Sequence, residues 1–541
     1  MKTKLVDVAV VGAGPAGLAA AWSASEHGAK DVLILEREER PGGVLKQCIH
    51  NGFGLQYFGQ DLTGPEYASR LLERVSRTGA DCWTHSMVTS LRPGELTVFS
   101  PKHGPTTVRA KAIVLATGCR ERTRGNLVIP GTRPSGVLTA GTAQRLVNLH
   151  GYLPGRRALI LGSGDVGLIM ARRLTLEGVE VARVVELMPY ATGLPRNVAQ
   201  CLHDFGIPLQ LHSTVTRILG WPRLEAVEIT DLASGRVELL SCDLLLLSVG
   251  LICENELVLS AGLELDPRTG GPYVDDRLAL PVPGLFAAGN GLHVSDLVDR
   301  VTVEGELAGL QAARHAASGV QEPVRRIPII SDEGVRSVVP QYVCEQGPQE
   351  VVLAIRVQEP LRQARFELWS SGRVLARHTE RACAPGQLVL WGLERRAFAS
   401  ADEPCRVRVL GEPLCAPESA HELREGEPQD LLCVICPLGC RLQVHAQGHE
   451  LLVKGAGCPD GRRYARDEFV QPKRAFTTTI PTIWGRPLPV RSTGGVPKEK
   501  LLAIPPRLAS LRILRPVKPG EILLPDMDGA GTALVASEGG P

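Results

Sequence analysis

The chain has 541 residues, of which 44% are apolar and 22% charged, with a formal net charge of +2. That length exceeds one hydrophobic core and asks for several domains. The near-neutral balance offers no basic face for nucleic acid or an anionic membrane. No stretch reaches the roughly 18 apolar residues of a membrane helix, the longest run being residues 243–252. Fourteen cysteines follow an N-terminus that leads directly into a glycine loop and carries no secretory signal. This suits a reducing, cytoplasmic setting, where grouped cysteines bind metal more often than they form disulfides.

The opening stretch, VDVAVVGAGPAGLAAAWSASEHGAKDVLILERE, reads as strand, glycine turn, helix and strand. The apolar run at residues 5–11 has the continuous hydrophobicity of a buried parallel strand. Gly12 allows the tight turn, Gly14 lets a pyrophosphate approach the backbone, and Gly17 lets the helix pack on the sheet. The free N–H groups and partial positive charge of the helix N-terminus then hold phosphate. Glu36 closes the second strand where a carboxylate can accept from both ribose hydroxyls. After it, residues 41–54, PGGVLKQCIHNGFG, carry a single cysteine, Cys48, and a nearby His50.

Residues 110–122, AKAIVLATGCRER, form a further buried strand that ends in Ala116, Thr117 and Gly118. The dinucleotide unit then repeats as RRALILGSGDVGLIMARRLTLEGVEVARVVELM. Gly162, Gly164 and Gly167 stand in for the first three glycines, and Glu186 follows at the same interval as Glu36. Two such units imply two dinucleotides. A 2′-phosphate beside Glu186 would be repelled, so NAD(H) is favoured over NADP(H), with Arg183 the cation near enough to alter that. Past residue 325 the pattern changes to alternating strands such as EVVLAIRVQ and QLVLWGLE, a small β-sandwich over 335–412. The polar, Pro- and Glu-rich residues 411–430 read as a linker.

Cys433, Cys436, Cys440 and Cys458 follow in the order C-x2-C-x3-C-x17-C, with Pro437, Gly439 and Gly457 supplying bends. Soft thiolates so spaced suit an iron–sulfur centre or zinc. A zinc ribbon would show two separate CxxC knuckles, so iron–sulfur stands ahead of zinc.

Residues 1 to about 320 resemble the two-dinucleotide flavoprotein oxidoreductases, the pyridine nucleotide-disulfide oxidoreductase class that contains thioredoxin reductases. The likeness rests on GAGPAG from Gly12 to Gly17, on Ala116-Thr117-Gly118, on the second glycine loop, and on FAAGN ending at Asn290. It implies an α/β fold of two Rossmann-like domains. FAD would occupy residues 1–122 with 268–325, and the nicotinamide nucleotide 123–267, followed by the β-sandwich and a cysteine-motif domain over 428–541. It further implies that Pro15, Ala16, Arg37, Gly43, Val44 and Val88 border FAD, together with Thr117, Gly118, Gly289, Asn290 and Val298. Asp165 and Gly250 would join the nicotinamide site. The family usually has Gly-Asp where this chain has Gly289 and Asn290, and a helix from about Ser295 would aim its positive end at the flavin.

By the same resemblance residues 41–54 run beneath the flavin ring, which makes Cys48 and His50 candidate catalytic groups. A thiolate there could relay electrons, with His50 lowering its pKa. The competing reading is a packed cysteine and a hydrogen-bonded histidine. No second cysteine follows, and Cys201, Cys242 and Cys253 stand alone in the sequence, so a thioredoxin-type mechanism is not expected. The four-cysteine pattern is similar to the [4Fe–4S] module at the start of molybdopterin oxidoreductases. The tail also resembles a small domain of uncharacterised function attached to one subset of these flavoproteins. That subset accompanies a glycerol-3-phosphate dehydrogenase or a 2-hydroxyacid oxidoreductase. The implied activity is electron transfer between nicotinamide, FAD and the cysteine centre, within a hetero-complex or homo-oligomer. The alternatives are a thiol/disulfide reductase using Cys48 and a flavoprotein subunit whose tail is a structural zinc docking module.

Overall fold

The computed structural model describes residues 2–319, 325–399, 401, 404–413, 429–434, 440–447 and 450–540. The chain divides into two compact units, Met1–Arg120 with Leu251–Glu412, and Glu121–Gly250 with Pro413–Pro541. No described helix is long and apolar enough to cross a membrane.

The first unit is built on a sheet in the order Asp81–Trp83, Val32–Leu35, Lys2–Val11, Thr106–Leu115, Glu95–Phe99, Met87–Arg92, with Leu285–Ala287 added beside the end of Thr106–Leu115. Its central pairings are parallel, Val8 facing Val32 and Ala112. Val8, Ala9 and Val10 are fully buried, as strands covered on both faces require. The helices Pro15–Glu26 and Val298–Ser318 lie against each other at backbone contact. A Cβ on Gly305 would fall 2.3 Å from the Ala16 carbonyl oxygen, and one on Gly309 2.1 Å from that of Ala20. The later helix begins at Val298 rather than near Ser295. The Ser295 N–H is instead tied to Asn290 Oδ1 at 3.0 Å.

The β-rich part of this unit begins at Arg326–Ser331, ahead of residue 335, because that strand pairs in parallel with the distant Cys405–Pro413. A five-stranded and a three-stranded sheet enclose Leu353, Phe366, Trp391 and Phe398. An ionic clasp joins this sandwich to the preceding fold. Arg326 donates to Asp275 at 3.1 Å, Arg395 pairs with Asp276, and the Cys344 N–H donates to Asp276 at 2.7 Å. Asp275, Asp276 and Cys344 form a buried trio that could suit a cation, but guanidinium groups already answer its carboxylates.

The second unit holds a parallel sheet, Leu209–Gln210, Glu180–Val185, Arg157–Leu161, Leu244–Leu247, Val137–Thr139, with a three-stranded meander beside it in sequence. Its C-terminal part has two lobes. One is an antiparallel meander with the helix Pro459–Val470, and the other is a four-stranded sheet ending at Leu534–Ala536. The second lobe shares a core with the nucleotide-type fold, since Leu176 packs with Phe476, Ile480 and Val490. Beneath it Arg474, 4% exposed, donates at 2.5 Å to both Asp204 and Glu468, and Lys498 reaches Asp204 at 2.9 Å.

Burial alone would raise the Asp204 carboxyl, but Arg474 and Lys498 hold it below the ordinary value. Removing Arg474 leaves buried carboxylates short of a counter-charge, a defect of about 3–5 kcal/mol. R474M is therefore expected to lower the stability of the second unit by that amount. A lowered carboxylate contributes stability above its unfolded pKa and loses it as pH falls through the folded pKa. The variant should accordingly flatten the acid limb of the stability curve, measured by urea unfolding at stepped pH.

Candidate functional site

Lys2–Val11 delivers the chain into its first glycine turn. Gly12 has φ +102°, and a Cβ there would lie 2.3 Å from the Ala116 carbonyl oxygen. At Gly17 it would lie 1.8 Å from the Gly12 carbonyl oxygen, whereas at Gly14 it would meet nothing within 4 Å. Two of the glycines thus close the turn, and the third leaves open space at the N-terminus of Pro15–Glu26, where Pro15 occupies the first turn. That opening, with unsatisfied N–H groups, fits the pyrophosphate of a dinucleotide. Glu36 borders it, 6% exposed, its Oε2 accepting from the Ala13 N–H at 2.7 Å and its Oε1 from the Glu38 N–H at 2.9 Å. Each oxygen keeps a further lone pair for a ribose hydroxyl.

The neighbouring candidates divide. Gly43, φ +58°, brings its backbone so near Gly14 that a Cβ would stand 2.9 Å from the Gly14 Cα, and Val44 beside it is exposed. Ala16 and Val88 are core residues, and Arg37 makes a two-pronged pair with Glu254. Thr117 and Gly118 are half-buried, and Gly118 has φ +75° with open space at its Cβ position. Gly289 packs on Ala16, and its N–H donates to Glu304 Oε2 at 3.0 Å, while Glu304 Oε1 meets His293 Nε2 at 2.8 Å. Asn290 commits its Oδ1 to the Ser295 N–H and donates from Nδ2 to Cys119 Sγ at 3.5 Å. An aspartate could make only the first of these bonds. Half-buried Val298 opens its helix, followed by buried Asp299, whose Oδ2 accepts from the Gln56 N–H at 3.1 Å.

Cys48 closes the short helical turn Gly43–Gln47 and lies under the start of Gly64–Ser76, its carbonyl accepting from the Gly64 N–H at 2.9 Å. Burial pushes its thiol up to about 12, so it is protonated at neutral pH. His50 Nδ1 donates to the Asn51 carbonyl at 2.9 Å, and its ring lies 4.8 Å from that of Phe53. A thiol so raised does not supply a thiolate at neutral pH.

The second glycine loop repeats the first with a serine as the floor. Gly162, φ +94°, would bring a Cβ within 2.2 Å of the Ser248 carbonyl oxygen, and Gly167 one within 2.6 Å of the Ser248 Cβ. The Gly167 N–H donates to Ser248 Oγ at 3.1 Å. Gly164 precedes the helix Asp165–Leu176, and Gly250, φ +98°, follows the strand end with open space. Asp165 is committed to the Leu194 N–H and the Asn197 amide, at 2.8 and 2.7 Å. Glu186, 4% exposed, accepts from the Ser163 N–H and hydroxyl, from Thr192 and from the Met188 N–H. Arg183 is held by Gln210 and Glu238.

Of the four grouped cysteines, Cys433, Cys440 and Cys458 lie among the described residues, whereas Cys436, with Pro437 and Gly439, does not. The Cys433 N–H donates to the Cys440 carbonyl at 2.9 Å. Cys458 caps the helix Pro459–Val470, its Sγ accepting from the Gly461 N–H at 3.3 Å. A Cβ on Gly461 would touch both Cys433 Sγ, at 3.5 Å, and Cys458 Sγ, at 3.7 Å. The end of the strand Gln429–Leu432 and the helix cap therefore bring the Cys433 and Cys458 sulfurs together over a glycine, at a helix N-terminus that favours anionic thiolates. Cys433, Cys440 and Cys458 belong to the same unit as the second glycine loop.

Sequence reasoning missed Glu304, Ser248 and the pairing of Arg37 with Glu254. The local signal for Glu304 was an acid next to Gly305 in the first turns of a buried helix. For Ser248 it was the SVG that ends a fully apolar strand.

Residues 6–333 match the family described as pyridine nucleotide-disulphide oxidoreductase, and residues 459–538 one described as a protein of unknown function (DUF1667). An opine oxidase subunit of Agrobacterium tumefaciens is 29% identical over 57% of this chain and 65% of its own length. The alpha subunit of the sarcosine oxidase of Rhizobium meliloti is 29% identical over 62% of this chain, which spans 33% of that protein. Thioredoxin reductase of Treponema pallidum is 26% identical over 57% of this chain and 96% of its own. The solved thioredoxin reductase of T. acidophilum is 25% identical, with a TM-score of 0.50 over 58% of this chain and 99% of that one. The chain spans less than two thirds of the opine and sarcosine oxidase subunits it matches, but the family match extends over more than half of the chain and takes in both glycine loops, so this protein belongs to the pyridine nucleotide-disulphide oxidoreductase family.

Proposed function

We propose that the chain is an NAD(H)-linked flavoprotein that exchanges electrons between nicotinamide, FAD and a metal centre held by Cys433, Cys436, Cys440 and Cys458, serving a partner dehydrogenase. The observation that carries this reading is the meeting of Cys433 and Cys458 over Gly461, two thiols brought together from different elements. When bound, FAD couples hydride exchange with nicotinamide to one-electron transfer, and an iron–sulfur cluster supplies one-electron chemistry. The chain's own residues bind and orient. The N-terminus of Pro15–Glu26 receives the FAD pyrophosphate, Glu36 its ribose, and Glu186 the adenine ribose of NAD(H).

NAD(H) is preferred because a 2′-phosphate would meet the Glu186 carboxylate while Arg183 is committed to Glu238. A reductase acting through Cys48 fits poorly with a thiol that stays protonated at neutral pH. The partner follows from the resemblance of the tail, which points to a dehydrogenase for glycerol 3-phosphate or a 2-hydroxyacid. The relatives that are subunits of opine and sarcosine oxidases support action within a hetero-complex.

NADH should exceed NADPH about tenfold or more in kcat/KM, a preference equivalent to about 1.4 kcal/mol, and E186Q should narrow that ratio when flavin reduction is followed by stopped flow. Protein purified without oxygen should contain iron and absorb broadly beyond the flavin bands. C433S and C458S should lose that metal while retaining FAD. Stoichiometric zinc with flavin bands alone would overturn the one-electron centre and leave a structural docking module.

A further inference from the structure

Cys119 and Cys253 stand far apart in the sequence, yet the strands Cys119–Glu121 and Leu251–Cys253 pair with each other. The Glu254 N–H donates to the Gly118 carbonyl at 2.9 Å, and the Arg122 N–H to the Gly250 carbonyl at 3.0 Å. These bonds make the pairing antiparallel and set Cys119 directly opposite Cys253. They flank that pair instead of joining it, which makes it a non-hydrogen-bonded pair. In such a pair the Cα atoms stand about 4.5 Å apart and both side chains rise from one face. A disulfide spans Cα separations of about 4.4–6.8 Å, so the backbone already has the spacing it needs.

The side chains agree with the backbone. Burial pushes the Cys253 thiol up to about 12, and the second cause of that rise is Cys119 beside it. Cys253 is 6% exposed and donates to the Thr269 carbonyl at 3.4 Å. Cys119 is partly exposed and accepts from Asn290 Nδ2 at 3.5 Å. One residue of the pair is therefore partly open to solvent while its neighbour is sheltered. The residue that contacts the reachable sulfur is the one at which this chain departs from the family's aspartate. A carboxylate at that position would face the sulfur with negative charge and oppose its ionisation.

We propose that Cys119 and Cys253 are a redox-active dithiol that closes to a cross-strand disulfide by exchange with a small-molecule disulfide, beside the Asn290 turn of the flavin fold. The Cys119 thiolate attacks one sulfur of the small disulfide, forming a mixed disulfide and releasing one thiol. Cys253 then attacks Cys119 Sγ, which releases the second thiol and forms the protein S–S bond. The chain gives up two electrons and two protons, all carried away by the two thiols. This site is independent of the four-cysteine centre and adds to the reading above.

The test uses the FAD-loaded full-length protein, reduced, desalted and exposed to glutathione disulfide, then acid-quenched, alkylated and digested. The expected result is a linked peptide containing Cys119 and Cys253, with two fewer alkylated thiols than in the reduced sample and full reversal by dithiothreitol. C253S should stop at a glutathione adduct on Cys119, and C119S should leave Cys253 open to alkylation in denaturant. Full alkylation of both cysteines at every disulfide ratio overturns the proposal. So does a bond from Cys119 to any other cysteine, or a lasting glutathione adduct at Cys119 in the unsubstituted protein. Should either variant fail to fold, as judged by FAD content and melting, peptide mapping of the unsubstituted protein decides alone.

Discussion

The first unit depends on one contact: the backbone approach of Val298–Ser318 to Pro15–Glu26, possible because Gly305 and Gly309 lack a Cβ where Ala16 and Ala20 present their carbonyls. Two helices at that separation cannot slide without collision. The start of the later helix is therefore fixed with respect to the first glycine turn. From that helix Glu304 holds the Gly289 N–H, Asp299 holds the Gln56 N–H, and Thr302 meets the Tyr67 hydroxyl at 2.7 Å. Segments from three parts of the chain are thus registered against one helix, and the pyrophosphate turn inherits that registration through Gly289 and Ala16.

The second unit uses charge where the first uses backbone contact. Arg474 joins Asp204 on one element to Glu468 on another, and Arg173, 5% exposed, donates to Asn148 at 2.9 Å and pairs with Glu177. Thr478 and Thr479 add weaker contacts at 3.3 and 3.4 Å. Such pairs are costly to desolvate, and they specify a docking geometry more than they add net stability. The core shared by Leu176 and Phe476 supplies the apolar part of that docking. The C-terminal region is consequently a partner of the nucleotide-type fold within this unit and no loosely tethered tail.

Much of the fold was legible because close backbone approach leaves glycine in the sequence at short, regular intervals. Gly12, Gly17, Gly162 and Gly167 each sit where a Cβ would strike a neighbour, while Gly14 leaves the space a phosphate needs. The same physics at Gly305 and Gly309 went unread, since their contact lies on a helix nearly three hundred residues away in order and carries no local turn signal. The early start of the sandwich at Arg326 escaped for a related reason, its partner strand being Cys405–Pro413. Asn290 looked like a weakened cofactor contact. In the structure its amide bonds a sulfur that an aspartate could not. Arg37 and Asp165 come from the resemblance alone, and their side chains also meet protein partners.

Cysteine is where linear and spatial reading differ most. Counting along the chain leaves Cys48 as the thiol nearest a flavin-type loop and Cys253 as an isolated residue. Packing reverses both. Cys48 is half-buried against the Gly64 backbone, and burial pushes its thiol up to about 12, away from the thiolate. Cys253 acquires a neighbour from the other side of the unit through strand register, a relation that no spacing rule encodes. A dithiol assembled across two strands differs physically from one assembled along a turn. Its closure adds a covalent bond to an existing ladder and needs only side-chain rotation, so the sheet has already set the backbone geometry. The spacing so set lies at the short end of the disulfide range, where a bond is the more easily reduced, and it makes the spatial pair a better candidate for reversible thiol chemistry than the cysteine the sequence brings to the eye.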